Sequence, residues 1–303
     1  MRSAVVIAIA LAASTGPAAP RDATGDAAQA PDFVVYCYDA ERQLIVRELA
    51  SDCHGQVVSA AEADAIKNRR SERVGREIRN DGQLAPPGTS AMRKIGTGFF
   101  VDPRGKLVTN HHVIVDCKAL VVESAADDQS APATVEADDA ADDLALLGTT
   151  LPAVDVAEFE RLQPVESGAF AAAVGYPDQG LPPRVPLLTR GALETLPAGV
   201  KLPGGALLFR AEVHPGDSGG PILNAYGLVI GMTRAKLNIP LIYSRTGNLL
   251  EDEGFGIPSA MVLEFLTKNR VPFQVGTRGI KQLDPDAMLP SASRYVVRVD
   301  CWE

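Results

Sequence analysis

From residue 95 to about residue 232 the chain is written in short β-rich runs punctuated by Gly and Pro. The best-defined piece is "IGTGFFVDPRGKLVTNHHVI" (95–114). "TGFFV" and "KLVTN" read as strands. "DPRG" (102–105) reads as the turn between them, since a type I turn favours Asp first, Pro second and Gly fourth. Further strands are expected at "ALVVE" (119–123), "DLALL" (143–147), "AFAAAVG" (169–175), "LLTRGALE" (187–194), "ALLFRAEV" (206–213) and "GLVIGM" (227–232). Many short strands with tight turns exclude a helical bundle and point to barrels or a sandwich. "LPAVDVAEFERLQPVESG" (151–168) interrupts the pattern, as a connector between two halves would. One amphipathic helix is expected at "PSAMVLEFLTKN" (258–269), with Met261, Val262, Phe265 and Leu266 on one face.

The flanks differ in character. Residues 1–20 read as a signal peptide, with Arg2 ahead of the apolar run "AVVIAIALAA" (4–13) and small residues after it. Cleavage after Ala12, Ala13 or near Ala19 fits equally. Residues 21–31 form a polar linker. Residues 32–80 read as a small appendage. "FVVYCYD" and "QLIVREL" make a hairpin, and Ser59 with Glu62 makes a capping box that opens an Arg/Glu-rich helix. Residues 91–270 are the main body, and residues 271–303 a C-terminal tail.

The net charge of −9 lacks the basic footprint of a nucleic-acid binder. No stretch after the signal is long and apolar enough to span a bilayer. Four cysteines in an exported chain suggest two disulfides with three possible pairings. Cys37 and Cys53 stand close together in the appendage and are paired here, which leaves Cys117 with Cys301 and ties the tail to the body. The spacings match no common zinc pattern, and no metal or cofactor is expected.

The chemistry centres on "HPGDSGGPIL" (214–223), which crowds glycine and proline around one hydroxyl, Ser218. A serine nucleophile needs a base, a group to orient that base, and donors for an oxyanion. Flanking glycines let backbone N–H groups, here those of Gly216 and Ser218, face a substrate carbonyl. Of four histidines (His54, His111, His112, His214), two stand at the end of the "KLVTN" strand. An acidic residue leads the apolar run "DLALL", where burial would let it hold an imidazole.

Together "TGFFVD…LVTNHHVI", "DLALL", "HPGDSGGPI", "GLVIGM" and "GFGIPSAMVLEFL" resemble the trypsin-like serine proteases, nearest to their bacterial HtrA-type branch, over residues 91–270. The resemblance implies an all-β fold of two antiparallel six-stranded β-barrels, with the C-terminal helix and the disulfide-linked N-terminal appendage added. It identifies Thr109-Asn110-x-His112-Val113 as the base motif, so His112 is the base and His111 a polar neighbour. It selects Asp143 over Asp142 as the orienting carboxylate, the other acids of 127–143 being a solvated loop. The catalytic residues are then His112, Asp143 and Ser218. The expected activity is that of an exported serine endopeptidase, periplasmic or secreted, acting on polypeptides through an acyl-enzyme. A non-catalytic binding protein on the same fold, or a hydrolase of non-peptide esters, are the alternatives.

Two departures stand out. HtrA-type enzymes usually carry Asn where this chain has Asp217. In trypsin-like zymogens such an Asp pairs with a newly released N-terminus, for which Arg73-Val74-Gly75 is a candidate. The PDZ domain common in that branch is not expected, since too few residues follow Arg270. The first specificity pocket is expected to draw on Glu212, Thr233 and Arg234.

Overall fold

The structure, a computed structural model, describes residues 34–40, 44–50, 53–66, 68–69, 86, 88–89, 92–160, 166–177, 185–195, 206–211, 213–236, 253–279 and 281–303. The expected signal peptide, the linker and Arg73-Val74-Gly75 lie outside these residues.

The N-terminal module is a three-stranded sheet. β1 (Val34–Asp39) pairs antiparallel with β2 (Leu44–Leu49) and with β3 (Gln56–Val58). Cys37 is bonded to Cys53 across this unit. A helical stretch at 60–66 follows, opened by the capping box. The Ser59 N–H donates to Glu62 Oε2 at 2.9 Å, and the Glu62 N–H donates to Ser59 Oγ at 3.3 Å, so two orphan donors of the first turn are satisfied.

The body is two closed rings of six antiparallel strands. The first holds β4 (Met92–Asp102), β5 (Lys106–Thr109), β6 (Ala119–Ser124), β7 (Gln129–Asp139), β8 (Leu144–Thr149) and β17 (Val296–Trp302), in the order β17-β4-β5-β8-β7-β6. The second holds β10 (Phe170–Gly175), β11 (Leu187–Glu194), β12 (Leu207–Arg210), β13 (Pro221–Asn224), β14 (Val229–Lys236) and β15 (Glu253–Pro258), in the order β10-β11-β12-β15-β14-β13 and closed by the β13–β14 pairing. The two orders are the same if β17 is counted as the first strand of its ring. Between the rings run 151–157 and β9 (Glu158–Glu160), which pairs parallel with β14 and with β16 (Gln274–Gly276).

The "DPRG" turn forms as its residues dictate. The Gly105 N–H donates to the Asp102 carbonyl at 3.2 Å, with Gly105 at φ +83°, and Asp102 Oδ1 accepts the Arg104 N–H at 2.8 Å. The expected helix is α2 (Ser259–Lys268), which buries Val262, Phe265 and Leu266; α1 is the single turn His111–Ile114 described below.

Two segments depart from the sequence expectation. The acidic stretch within 127–143 is largely strand, not loop. In β7 the small residues Ala131, Ala133 and Ala137 pack toward the core, and the acids Glu136 and Asp138 alternate outward. A bulge between Val135 and Ala137 keeps that alternation in phase with β8. Residues 271–303, expected as a tail, contain β16, α3 (Pro285–Ala292) and β17. β17 lies between β4 and β6, so the first barrel closes only through the C-terminal segment. Every residue of β17 is buried; Val297, Val299 and Cys301 join the main core, and Arg298 donates to Asp300 at 2.6 Å as a buried ion pair. Cys301 is bonded to Cys117, which follows α1. No helix among the described residues is long and apolar enough to cross a membrane.

Candidate active site

The histidine side grows out of β5. Asn110 ends the strand in an extended conformation, and α1 (His111–Ile114) begins at once. Val113 and Ile114 are buried, which fixes the turn against the barrel. Gly96 makes this possible, because a Cβ there would lie 2.6 Å from Val113. Lys94 Nζ donates to the carbonyls of His112 (2.9 Å) and Val115 (2.8 Å), satisfying groups that so short a helix cannot satisfy itself.

Asp143 sits at the mouth of β8 with φ +58°, a left-handed conformation that Asp tolerates better than most residues. Its carbonyl accepts Asn110 Nδ2–H at 3.0 Å and the His111 N–H at 3.2 Å. Its carboxylate accepts the His112 N–H (3.0 Å to Oδ1) and the His112 ring, with Nδ1 2.9 Å from Oδ2 and 3.1 Å from Oδ1. A carboxylate only accepts, so Nδ1 carries the proton and Nε2 is left as the acceptor. Arg234 Nε also donates to Oδ2, at 3.0 Å. Burial pushes the Asp143 carboxyl up; the hydrogen bonds from His112 and the charges of His112 and Arg234 outweigh it and hold the group below its ordinary value. His111 turns away, its Nδ1 2.5 Å from Asp138 Oδ1.

The serine side is the turn before β13. The Asp217 N–H donates to the His214 carbonyl at 3.1 Å, and Asp217 Oδ2 accepts the His214 N–H at 2.9 Å, so the buried Asp217 holds its own turn. Gly216 lies at φ +103° and Gly219 at φ +88°, conformations reserved in practice for glycine. The Gly219 N–H donates to the Thr233 carbonyl (2.8 Å), and the Gly220 N–H to the Asp217 carbonyl (2.9 Å). The N–H groups of Gly216 and Ser218 have no acceptor among the described residues. Ser218 Oγ donates to the Arg234 carbonyl at 3.0 Å; among the described residues it makes no bond to His112.

One side chain joins the two halves. Thr97, fully buried in β4, donates its hydroxyl to the Gly216 carbonyl at 2.6 Å and accepts the Tyr176 N–H at 3.0 Å. Its backbone N–H donates to the Ser218 carbonyl at 2.8 Å. The turn carrying Ser218 is therefore docked on the barrel that carries His112 and Asp143.

His112, Asp143 and the Gly216–Ser218 turn thus meet at the junction of the barrels. The pocket residues fare differently. Glu212 lies outside the described residues. Thr233, expected on the pocket wall, is fully buried; its N–H donates to the Gly220 carbonyl at 2.7 Å, so it backs the serine turn. Arg234 turns its guanidinium onto Asp143. Thr97 and Lys94 drew no role from the sequence, and Asn110 entered only as part of the base motif. A Thr inside a strand carries no local mark of partners 79 and 119 residues away, nor does a Lys three residues before it mark carbonyls 18 and 21 residues on. Among the described residues no group of His, Cys, Asp or Glu is placed to hold a metal ion.

Residues 96–232 match the family described as trypsin-like peptidase domain. An uncharacterized protein y4bJ of Sinorhizobium fredii is 32% identical over 72% of this chain and 34% of its own length. A probable periplasmic serine endoprotease DegP-like of Chlamydia pneumoniae is 34% identical over 58% of this chain and 34% of its own length. The putative serine protease HhoA of Synechocystis is 35% identical over 50% and 39%. The chain spans about a third of the length of these curated relatives. Among solved structures, the serine endoprotease from Yersinia pestis matches at 24% identity and a TM-score of 0.47, over 58% of this chain and 57% of that one. Residues 96–232 are thus similar to a trypsin-like peptidase domain, and a probable periplasmic DegP-like serine endoprotease is among the proteins this chain resembles.

Proposed function

We propose that this chain is a serine endopeptidase that acts outside the cytoplasm. The observation that carries the reading is the two-point grip of Asp143 on His112, with the Ser218 turn docked beside it through Thr97. A carboxylate on Nδ1–H fixes one tautomer and leaves Nε2 to take a proton. The reaction then runs as follows. Ser218 Oγ leaves the Arg234 carbonyl, gives its proton to His112 Nε2 and attacks a peptide carbonyl. The N–H groups of Gly216 and Ser218 hold the oxyanion. His112 gives the proton to the departing amine; water, deprotonated by the same nitrogen, then attacks the acyl carbon, and His112 passes that proton to Ser218 Oγ as the acyl group leaves as the acid. Asp143 stays ionised throughout and steadies the imidazolium.

Polypeptides are the proposed substrates, since the DegP-like relatives are named as endoproteases. Two disulfides favour an oxidising compartment, and the periplasmic label of those relatives points the same way. The apolar run at 4–13 is read as the export signal.

The test is labelling of the purified protein with a fluorophosphonate beside a Ser218→Ala control, with intact mass recorded for both. Labelling of the wild type at one site, lost in the control, is the expected outcome. A wild type that stays unlabelled at every pH, while folded, overturns the reading. The recorded mass also shows whether cleavage near Arg73 accompanies activity.

A further inference from the structure

The mechanism above has no use for a second cation, yet one touches the triad's carboxylate. Arg234 is the extra residue of a bulge in β14, with Thr233 opposite Gly256 and Ala235 opposite Phe255. A bulge re-aims a side chain, and here the guanidinium reaches across to the other barrel and donates Nε–H to Asp143 Oδ2 at 3.0 Å. The carbonyl of the same residue accepts the Ser218 hydroxyl at 3.0 Å. His112 Nδ1 lies 2.9 Å from that same Oδ2. One oxygen therefore serves two donors, of which one is permanently charged and the other charges only when the imidazole takes a proton.

We propose that Arg234 is a positioning residue whose fixed positive charge on Asp143 sets the acid limit of the enzyme's working pH range. The proposal rests on the endopeptidase reading for its consequence, not for its physics. Two nitrogens within 3.0 Å of one oxygen are no more than about 6 Å apart, a separation at which a charge moves a titration. The guanidinium cancels part of the field that Asp143 exerts on the imidazole, because both donors share Oδ2. Side-chain exposures of 37% for Arg234 and 45% for His112 admit solvent screening, so the guanidinium acts as a screened charge and not as a buried one. The other charged groups around the imidazole are fixed elsewhere. Lys94 of β4 lies on the His112 carbonyl. Asp138 of β7 is held by His111. Asp142 lines a small cleft that Arg234 also borders. Asp217 and His214 bond each other in the serine turn. Arg234→Lys keeps a cation in the same surroundings, so comparing it with the neutral variants isolates the charge.

The experiment uses the whole chain with Arg234→Gln, Arg234→Met (which keeps the aliphatic stem) and Arg234→Lys. Two readouts are taken across pH: the fluorophosphonate labelling rate, and the His112 ring signals in histidine-labelled protein by NMR. Both neutral variants are expected to move the acid limb and the NMR midpoint up by about one pH unit, and Arg234→Lys to leave them in place. A purely structural role would change the rate and leave the midpoint still. Midpoints that coincide in wild type and either folded neutral variant overturn the proposal. The NMR readout needs no catalysis, so it decides the matter even if labelling fails and the endopeptidase reading falls.

Discussion

The first barrel closes through a strand from the far end of the chain, and one covalent bond pins that strand beside the histidine turn. Replacing Cys117 and Cys301 together with alanine removes the bond and adds no buried hydroxyl. The two residues are 184 apart in sequence. For a loop of that size the chain-entropy account gives about 5 kcal/mol, and measured bridges give about 2–4 kcal/mol. Cys301 is fully buried in β17, between Lys94 of β4 and Leu120 of β6, so losing the bridge frees a strand that both neighbours need. With a urea m-value of about 2–3 kcal/mol/M, a loss of about 3 kcal/mol lowers the midpoint by about 1 M or more. The assay is urea unfolding followed by tryptophan fluorescence, which reports on β17 directly because Trp302 is the chain's one tryptophan. Fluorophosphonate labelling is run in parallel. Labelling should fall at a lower urea concentration than in wild type. The matched control, Cys37→Ala with Cys53→Ala, opens a bridge of separation 16 outside the barrels and should leave labelling unchanged. If the Cys117/Cys301 variant keeps the wild-type midpoint and slope, β17 does not depend on the bridge and the reasoning is refuted.

Three further outcomes follow from the site. Thr97→Val strands the Tyr176 N–H and frees the Gly216 carbonyl; it should cost about 1–3 kcal/mol and slow labelling at least about tenfold, whereas Thr97→Ser should restore both, as read by urea melts and labelling rates. Gly219→Ala places a Cβ 2.1 Å from the Thr97 carbonyl at φ +88°; a loss of about 2 kcal/mol or more is expected, and a thermal melt matching wild type would contradict the packing of the serine turn on β4. Asp143 has a folded value below its unfolded one, so its stabilising contribution is complete above the ordinary carboxylate range and fades as pH falls through the lower folded value. Asp143→Asn should therefore flatten the low-pH part of a stability-versus-pH curve and slow labelling about 10³- to 10⁴-fold near neutrality.

Much of this protein was legible one stretch at a time. The "DPRG" turn, the Ser59–Glu62 cap and the strands around them rest on contacts within a few residues, where side-chain chemistry decides conformation locally. His112, Asp143 and Ser218 could be proposed because a serine nucleophile imposes residue types and an order, and the resemblance to trypsin-like proteases chose among neighbours; the structure brings His112 and Asp143 into contact. Cysteine pairing followed from position alone. Other features depended on partners that no local pattern names. "YVVRVDCW" carries a strand signal, but the gap between β4 and β6 that it fills exists only once the barrel has formed. "QSAPATVEADD" (129–139) has too few large apolar residues to announce a strand; its alanines pack only because β6 and β8 stand on either side. Arg234 and Thr97 show the same limit inside the site. A bulge brought the one onto Asp143, and the meeting of two barrels gave the other its Gly216 and Tyr176 partners. Sequence named the groups proposed to carry the chemistry, because chemistry selects residue types. Tertiary structure alone decided which distant side chains hold and charge those groups, because packing and long-range hydrogen bonds are set by where the strands close.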